Sequence, residues 1–189
     1  METDNVLPAR TREELRDWLQ INSGTEKSCW VIVTVTPKPD ILLYLDAVEE
    51  ALCFGWIDGV KKRISDTELA QRLSPRGKRS SWTELNKERV RRLAKLNLMT
   101  DAGRQVLPDM GTDSFEIDEV IAHRIQEDPQ VYEHFKAFPD LYTRIRVDTI
   151  QSYKHQPDVF SSRLDKFISS TRANKMYGQW HDNRRLLDD

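Results

Sequence analysis

From Pro108 onward the apolar residues recur at helical spacing, which confines any sheet to the first half of the chain. Val120, Ile121 and Ile125 form one set, and Val131, Phe135 and Phe138 the next. Ile145 and Ile150, then Phe160, Leu164, Phe167 and Ile168, continue the pattern, and each set places its members on one face of a helix. Pro129, Pro139 and Pro157 divide the sets, because proline lacks the N–H that a helix interior needs and clashes with the preceding turn.

The first half mixes periods. Thr11 and Glu14 have capping-box spacing, followed by Leu15, Trp18 and Leu19 with a stop near Gly24, which predicts a short helix. "SCWVIVTVT" is rich in β-branched residues and closes on Pro37 and Pro39, as a strand entering a loop would. "ILLYLDAVEEALCFG" predicts a second helix with Tyr44, Val48, Ala51, Leu52 and Gly55 on its buried face and Asp46, Glu49 and Glu50 off it.

Between Gly59 and Pro75 two readings compete. Ser65 and Glu68 are spaced to cap a helical turn, whereas Leu69, Gln71 and Leu73 alternate as a strand does; a strand pair is the expectation. Ser81 and Glu84 make a second capping box for a helix running to about Leu96, and another short helix starts at Thr100. The predicted class is α+β: a small N-terminal α/β lobe with a short antiparallel sheet over residues 1–112, then a helical region over 113–189.

With 189 residues the chain can bury a sizeable core. Its 29 basic and 31 acidic side chains nearly cancel, so no global charge calls for nucleic acid or a membrane surface. No apolar run approaches the roughly 20 residues of a spanning helix, and the charged first 20 residues do not read as a signal peptide. A cytoplasmic protein is expected. Cys29 and Cys53 sit in apolar stretches without CxxC or His-rich spacing, which predicts buried free thiols and no metal or cofactor.

"ALCFGWIDGV", Ala51 to Val60, is the densest stretch. Gly55 suits the end of the second helix and Asp58-Gly59 reads as a turn pair. Trp56 serves either as a core anchor whose indole N–H needs one acceptor, or with Asp58 as one wall of a pocket. "SPRGKRSSW" then sets Arg76, Lys78 and Arg79, with Ser80, directly before a helix capped at Ser81. Cations, hydroxyls and free N–H groups at the positive end of a helix favour an anion, although the GxxxxGK[ST] spacing of a P-loop is absent. The other reading is a solvated basic loop paired with Asp58, Asp66 or Glu68.

At about 100° per residue, Leu85, Leu93 and Leu96 fall on the same stripe of this helix as Trp82, and so do Asn86 and Arg89. Lys87, Glu88, Arg91 and Lys95 point elsewhere and are expected to be solvent-facing charges. A buried guanidinium and amide require partners, and Asp58 is the candidate for Arg89.

"ALCFGWIDG", "SPRGKRSSWTELNKERVRRL" and "NLMTDAG", in that order, resemble the YdeI/OmpD-associated family of bacterial proteins, whose name is tied to bacteriocin protection. With "RDWLQINS" and "SCWVIVTV", the resemblance covers roughly residues 11–107. In the tail, "KHQPDVFSSR" keeps Lys154, Pro157 and Arg163 of the family's K-x-P-E-T-R-x-R-R run but carries Val159 and Phe160 in place of threonine and arginine. The resemblance implies a cytoplasmic α+β domain followed by helices, and it assigns no catalytic residues.

Three functions are compatible with these residues. The first is binding of a small anionic ligand or a protein partner at Trp56, Asp58, Arg76, Lys78, Arg79, Ser80, Ser81, Trp82, Asn86 and Arg89, in bacteriocin or stress tolerance. The second is an enzyme on an anionic substrate, with Asp58 as acid or base and Arg76, Arg79 and Arg89 as clamps. The third is nucleic-acid binding through Arg76, Lys78, Arg79, Lys87, Arg91 and Arg92 with Trp82 stacking; the near-zero net charge counts against it.

Overall fold

The computed structural model describes residues 6–64, 66, 69–77 and 80–187. The fold is mixed α+β and divides into two compact units, one of residues 1–81 and 89–108 and the other of 82–88 and 109–189.

In chain order the first unit holds β1 (Val6–Leu7), α1 (Arg12–Asn22), β2 (Cys29–Thr34), β3 (Leu42–Leu43), α2 (Tyr44–Cys53), β4 (Trp56–Arg63) and β5 (Leu69–Pro75). The sheet runs β1-β2-β5-β4, with β3 also pairing β2. Its antiparallel part is β2-β5-β4, and the two-residue strands β1 and β3 join β2 in parallel. β2 is therefore central, which explains its near-continuous burial. The strand pair expected between Gly59 and Pro75 is β4-β5; the proposed cap residues Ser65 and Glu68 lie outside the described residues. α1 has the Thr11–Glu14 capping box in full.

α2 corrects the sequence reading. Glu49 and Glu50, expected off the buried face, are 1% and 0% exposed. Burial of a carboxylate is tolerable only with a countercharge, and three arginines supply it. Arg12 donates from Nη1 to Glu49 at 2.7 Å and from Nε to Glu50 at 2.5 Å. Arg16, one turn on, reaches Glu50 at 2.7 Å, and Arg92 reaches Glu49 at 3.0 Å. Desolvation works against the Arg12 cation, but Glu50 and Glu49 overcome it and hold its guanidinium above the ordinary value.

The C-terminal end of α2 rests on α4 (Asp101–Gln105). Thr100, the N-cap of α4, donates its hydroxyl to the Cys53 carbonyl at 2.7 Å. A Cβ on Gly103 would lie 2.1 Å from that same carbonyl oxygen, so this turn of α4 approaches α2 only because the residue is glycine.

α3 (Glu84–Lys95) groups with the second unit up to Glu88 and with the first from Arg89. The second unit continues with α5 (Glu119–Gln126), α6 (Pro129–Ala137), α7 (Asp140–Gln151) and α8 (Pro157–Arg172). The predicted prolines stand at or next to the helix starts: Pro129 and Pro157 in the first turn, Pro139 as N-cap. Ile121, Val131, Ile145, Ile150, Leu164 and Phe167 form the core, with Tyr142 set edge-on between Phe138 and Trp180. Val120, included in the helical apolar set, is instead 48% exposed.

Two substitutions test this packing. Glu50→Gln leaves Arg12 and Arg16 facing a neutral group and should cost about 3–5 kcal/mol in denaturant unfolding. Gly103→Ala should cost more than about 2 kcal/mol because backbone must move, whereas Gly77→Ala, with open space around it, should stay within about 0.5 kcal/mol.

Candidate functional site

The β4-β5 pairing brings together the two stretches singled out in the sequence. Trp56 pairs with Pro75 and Asp58 with Leu73, so Arg76 leaves β5 beside the end of α2 and donates its N–H to the Gly55 carbonyl at 3.0 Å. Gly55 turns the corner at φ +72°, and a Cβ there would also press on Val106 and the Ala102 carbonyl at 3.0 and 3.1 Å.

Trp56 is 1% exposed. Its indole N–H donates to the Ser23 carbonyl at 3.2 Å and its ring meets Trp18 edge-on at 6.0 Å. It is a core anchor beneath the corner, not an open wall. Asp58-Gly59, expected as a turn, lies inside β4 at a register shift between Asp58 and Lys61. The fully buried Gln71 occupies this irregularity, its Nε2 donating to the Gly59 carbonyl at 3.0 Å and the Arg72 carbonyl at 3.1 Å.

Asp58 is half-buried and accepts the Tyr44 hydroxyl at 2.7 Å, while Lys61 Nζ sits 4.0 Å over the Tyr44 ring. Helical spacing gives Tyr44 only as an apolar-face residue of α2. Its partner is 14 residues away, and only the close approach of α2 and β4 shows the contact. Arg76 is 9% exposed, and its Nη1 donates to Ser80 Oγ at 3.3 Å and the Ser81 carbonyl at 3.0 Å. Burial pulls its guanidinium down to about 10, with the charge of Asp58 opposing that shift. Ser80 closes the loop by donating to the Gly77 carbonyl at 2.8 Å. Asp58, Arg76, Ser80 and Ser81 thus belong to one corner. Lys78 and Arg79 lie outside the described residues. Arg89 is 8% exposed, as the stripe predicts.

The expected capping box at Ser81 is not formed. Ser81 and Trp82 precede α3, and Thr83 caps it, accepting the Asn86 N–H on Oγ1 at 3.2 Å. The first-turn N–H of Glu84 donates to Asp148 Oδ2 at 3.0 Å, so a donor expected to serve an external anion serves a carboxylate of the chain. Burial raises the Asp148 pKa, helped by the neighbouring charge of Glu84. Glu84 itself is 2% exposed and engages Lys87 at 2.8 Å and Arg144 at 2.9 Å, and Glu88 binds Arg144 at 2.7 Å. Lys87 and Glu88 are therefore not the solvent-facing charges expected, and Arg91 is half-buried too. Trp82 and Asn86 are half-buried, Leu85 is half-buried, and Leu96 is 50% exposed although the stripe includes it. Leu96 follows the end of the helix, where the stripe no longer faces a neighbour.

A cavity of about 460 Å³ in the first unit lies at the start of α1, lined among others by Arg10, Arg12, Lys38, Asp40, Ile41 and Asp46. Its charges are mixed and no sequence motif pointed to it. Among the described residues, no group of three or more His, Cys, Asp and Glu is placed to hold a metal ion, and no helix is long and apolar enough to cross a membrane.

Two family models match the chain. The one described as a domain of unknown function (DUF8412) matches residues 7–106, and the one described as "Bacteriocin-protection, YdeI or OmpD-Associated" matches residues 114–174. The resemblance to the latter, read mainly from residues 11–107, therefore rests on the helical region, including the "KHQPDVFSSR" segment. There Lys154 pairs with the α5 N-cap Asp118 and Arg163 lies over Tyr153 at 3.9 Å. No curated protein and no solved structure shows significant similarity.

Both cysteines are buried, and desolvation pushes the Cys29 thiol up to about 12 and the Cys53 thiol up to about 11. Neither provides a thiolate nucleophile near neutral pH. Thiol reagent should label neither until the protein unfolds; rapid native labelling would contradict their burial. Because both folded values lie above the ordinary 9, unfolded thiols ionise first. Stability should then hold below pH 9 and fall above it, and replacing both cysteines with serine should flatten that alkaline limb.

Proposed function

We propose that this chain, which belongs to the family of the unknown-function domain and carries a YdeI/OmpD-associated, bacteriocin-protection domain, is a non-catalytic binding protein for a small anion or an anion-bearing partner. It acts in the cytoplasm, in bacteriocin or stress tolerance, and its site is the corner of Asp58, Arg76, Ser80 and Ser81 with Lys78 and Arg79.

Arg76 carries this reading. Its backbone is tied to Gly55, its guanidinium is nearly buried and oriented by Ser80 and Ser81, and cation strength toward an anion grows as water is removed. From Ser74 to Thr83 the sequence holds three cations and no acid. The anion sits at the Arg76 loop and not on the first turn of α3, where Asp148 already accepts the Glu84 N–H.

The test is an NMR titration of the full chain with inorganic phosphate and with citrate, followed at the Gly77 and Ser80 amides. Saturable shifts that weaken as salt rises are expected, since charge interactions are screened over about 8 Å at physiological ionic strength. Lys78→Ala/Arg79→Ala should weaken binding about tenfold or more while leaving the apo melting temperature within about 2 °C. Arg76→Ala should lose binding and also about 1–3 kcal/mol of stability, because Ser81 loses its donor. Absence of shifts at Gly77 and Ser80 removes the binding reading. Turnover in a phosphate-ester or amide screen would replace it with the enzymatic one.

A further inference from the structure

In the second unit two cations flank one phenol and the charge of a third reaches it. Arg146, on α7, holds its Cζ 5.2 Å from the centre of the Tyr177 ring, and Lys166, on α8, holds its Nζ 5.0 Å from the same centre. Arg163 is one helical turn before Lys166 and lies over Tyr153; its charge, with that of Arg146, acts on the Tyr177 hydroxyl.

The arrangement is built into the backbone. Arg146 Nη2 donates to the Gln179 carbonyl at 3.0 Å. Gly178, at φ +77°, leaves the volume that the guanidinium fills, since a Cβ there would stand 2.8 Å from Arg146 Nη1. Arg146 Nε is buried without a hydrogen-bond partner among the described residues. Asp165, next to Lys166 in the chain, is engaged elsewhere, pairing with Arg124 at 3.0 Å; Asp118 pairs with Lys154 and Asp128 with Arg172. Among the described residues, no carboxylate forms an ion pair with Arg146, Arg163 or Lys166.

Like charges held together repel, and an anion among them relieves the repulsion. Cations already lie over the rings of Tyr177 and Tyr153, so a nucleobase could stack there only by displacing them. The donors that remain are guanidinium and ammonium N–H groups and a phenol O–H, a set that suits a compact, highly charged oxyanion. We propose that Arg146, Arg163 and Lys166, with the Tyr177 hydroxyl, form a binding site for a dianion of the phosphomonoester class. Burial raises the Tyr177 hydroxyl against the pull of both arginines, so like an ordinary phenol it is a protonated donor at neutral pH. The site uses no residue of the Arg76 corner.

Inorganic phosphate titrated into the full chain at low salt should shift the Gly178 amide and the Arg146 side-chain N–H signals saturably. Arg163→Gln/Lys166→Gln should raise the Kd read at Gly178 about tenfold or more, the loss of two charge-assisted contacts. Lys166→Gln alone, at an exposed position that tolerates substitution, should raise it about threefold and keeps the test valid if the double variant fails to fold. Lys78→Ala/Arg79→Ala should leave the Gly178 response unchanged, so this site and the Arg76 corner succeed or fail separately. No saturable shift at Gly178, or an unchanged Kd in Lys166→Gln, overturns the proposal. So does a single-stranded oligonucleotide that shifts Gly178 where phosphate does not.

Discussion

Two adjacent glutamates with almost no exposure impose the main constraint on the first unit. Charged carboxylates cannot be left in an apolar environment, so Glu49 and Glu50 require Arg12 and Arg16 from α1 and Arg92 from α3 to stand in fixed places. Arg16 extends the network by donating to the Leu98 carbonyl at 2.7 Å and lying 5.4 Å over Phe54. Such a network is weak as a source of net stability, because desolvation offsets most of the attraction. Its effect is on geometry: arrangements that separate one partner leave a buried charge exposed to no counterion. The angle of α1 against α2, and the position of the segment leading into α4, follow from that requirement.

The corner at Gly55 is the next link. Thr100 fastens the last carbonyl of α2, Gly103 leaves room for that approach, and the left-handed Gly55 turns the chain into β4. Antiparallel pairing with β5 then delivers Arg76 to Gly55. Asp58, Tyr44 and Arg76 meet as a consequence of how the helix ends, with Trp56 buried at the same corner.

In the second unit, charge is arranged in two ways. Lys87 and Arg144 pair with Glu84 and Glu88, Asp148 accepts the Glu84 N–H, and a helix N-terminus that sequence spacing assigned to a ligand is satisfied from within. Around Tyr177 the cations gather with no carboxylate paired to them among the described residues, supported by a glycine that admits Arg146. The difference between the two clusters is the presence of acids within reach, and that difference separates a structural network from a place where an external anion is favoured.

The sequence by itself determined the kinds of element and most of their limits: the α1 capping box, the β-branched run of β2, and the prolines that open the later helices. These are local preferences, set by a residue and its neighbours within one turn. It also carried the burial of Arg89 and of both thiols. The tertiary structure alone decided which charges are buried. Glu49 and Glu50 look solvent-facing by helical spacing because their partners lie 34 to 43 residues away. The choice of Thr83 over Ser81 as cap, the Tyr44–Asp58 bond and the gathering of Arg146, Arg163 and Lys166 have the same origin. A polar side chain takes its role from the groups that surround it after folding, and chain spacing reports only the groups beside it before.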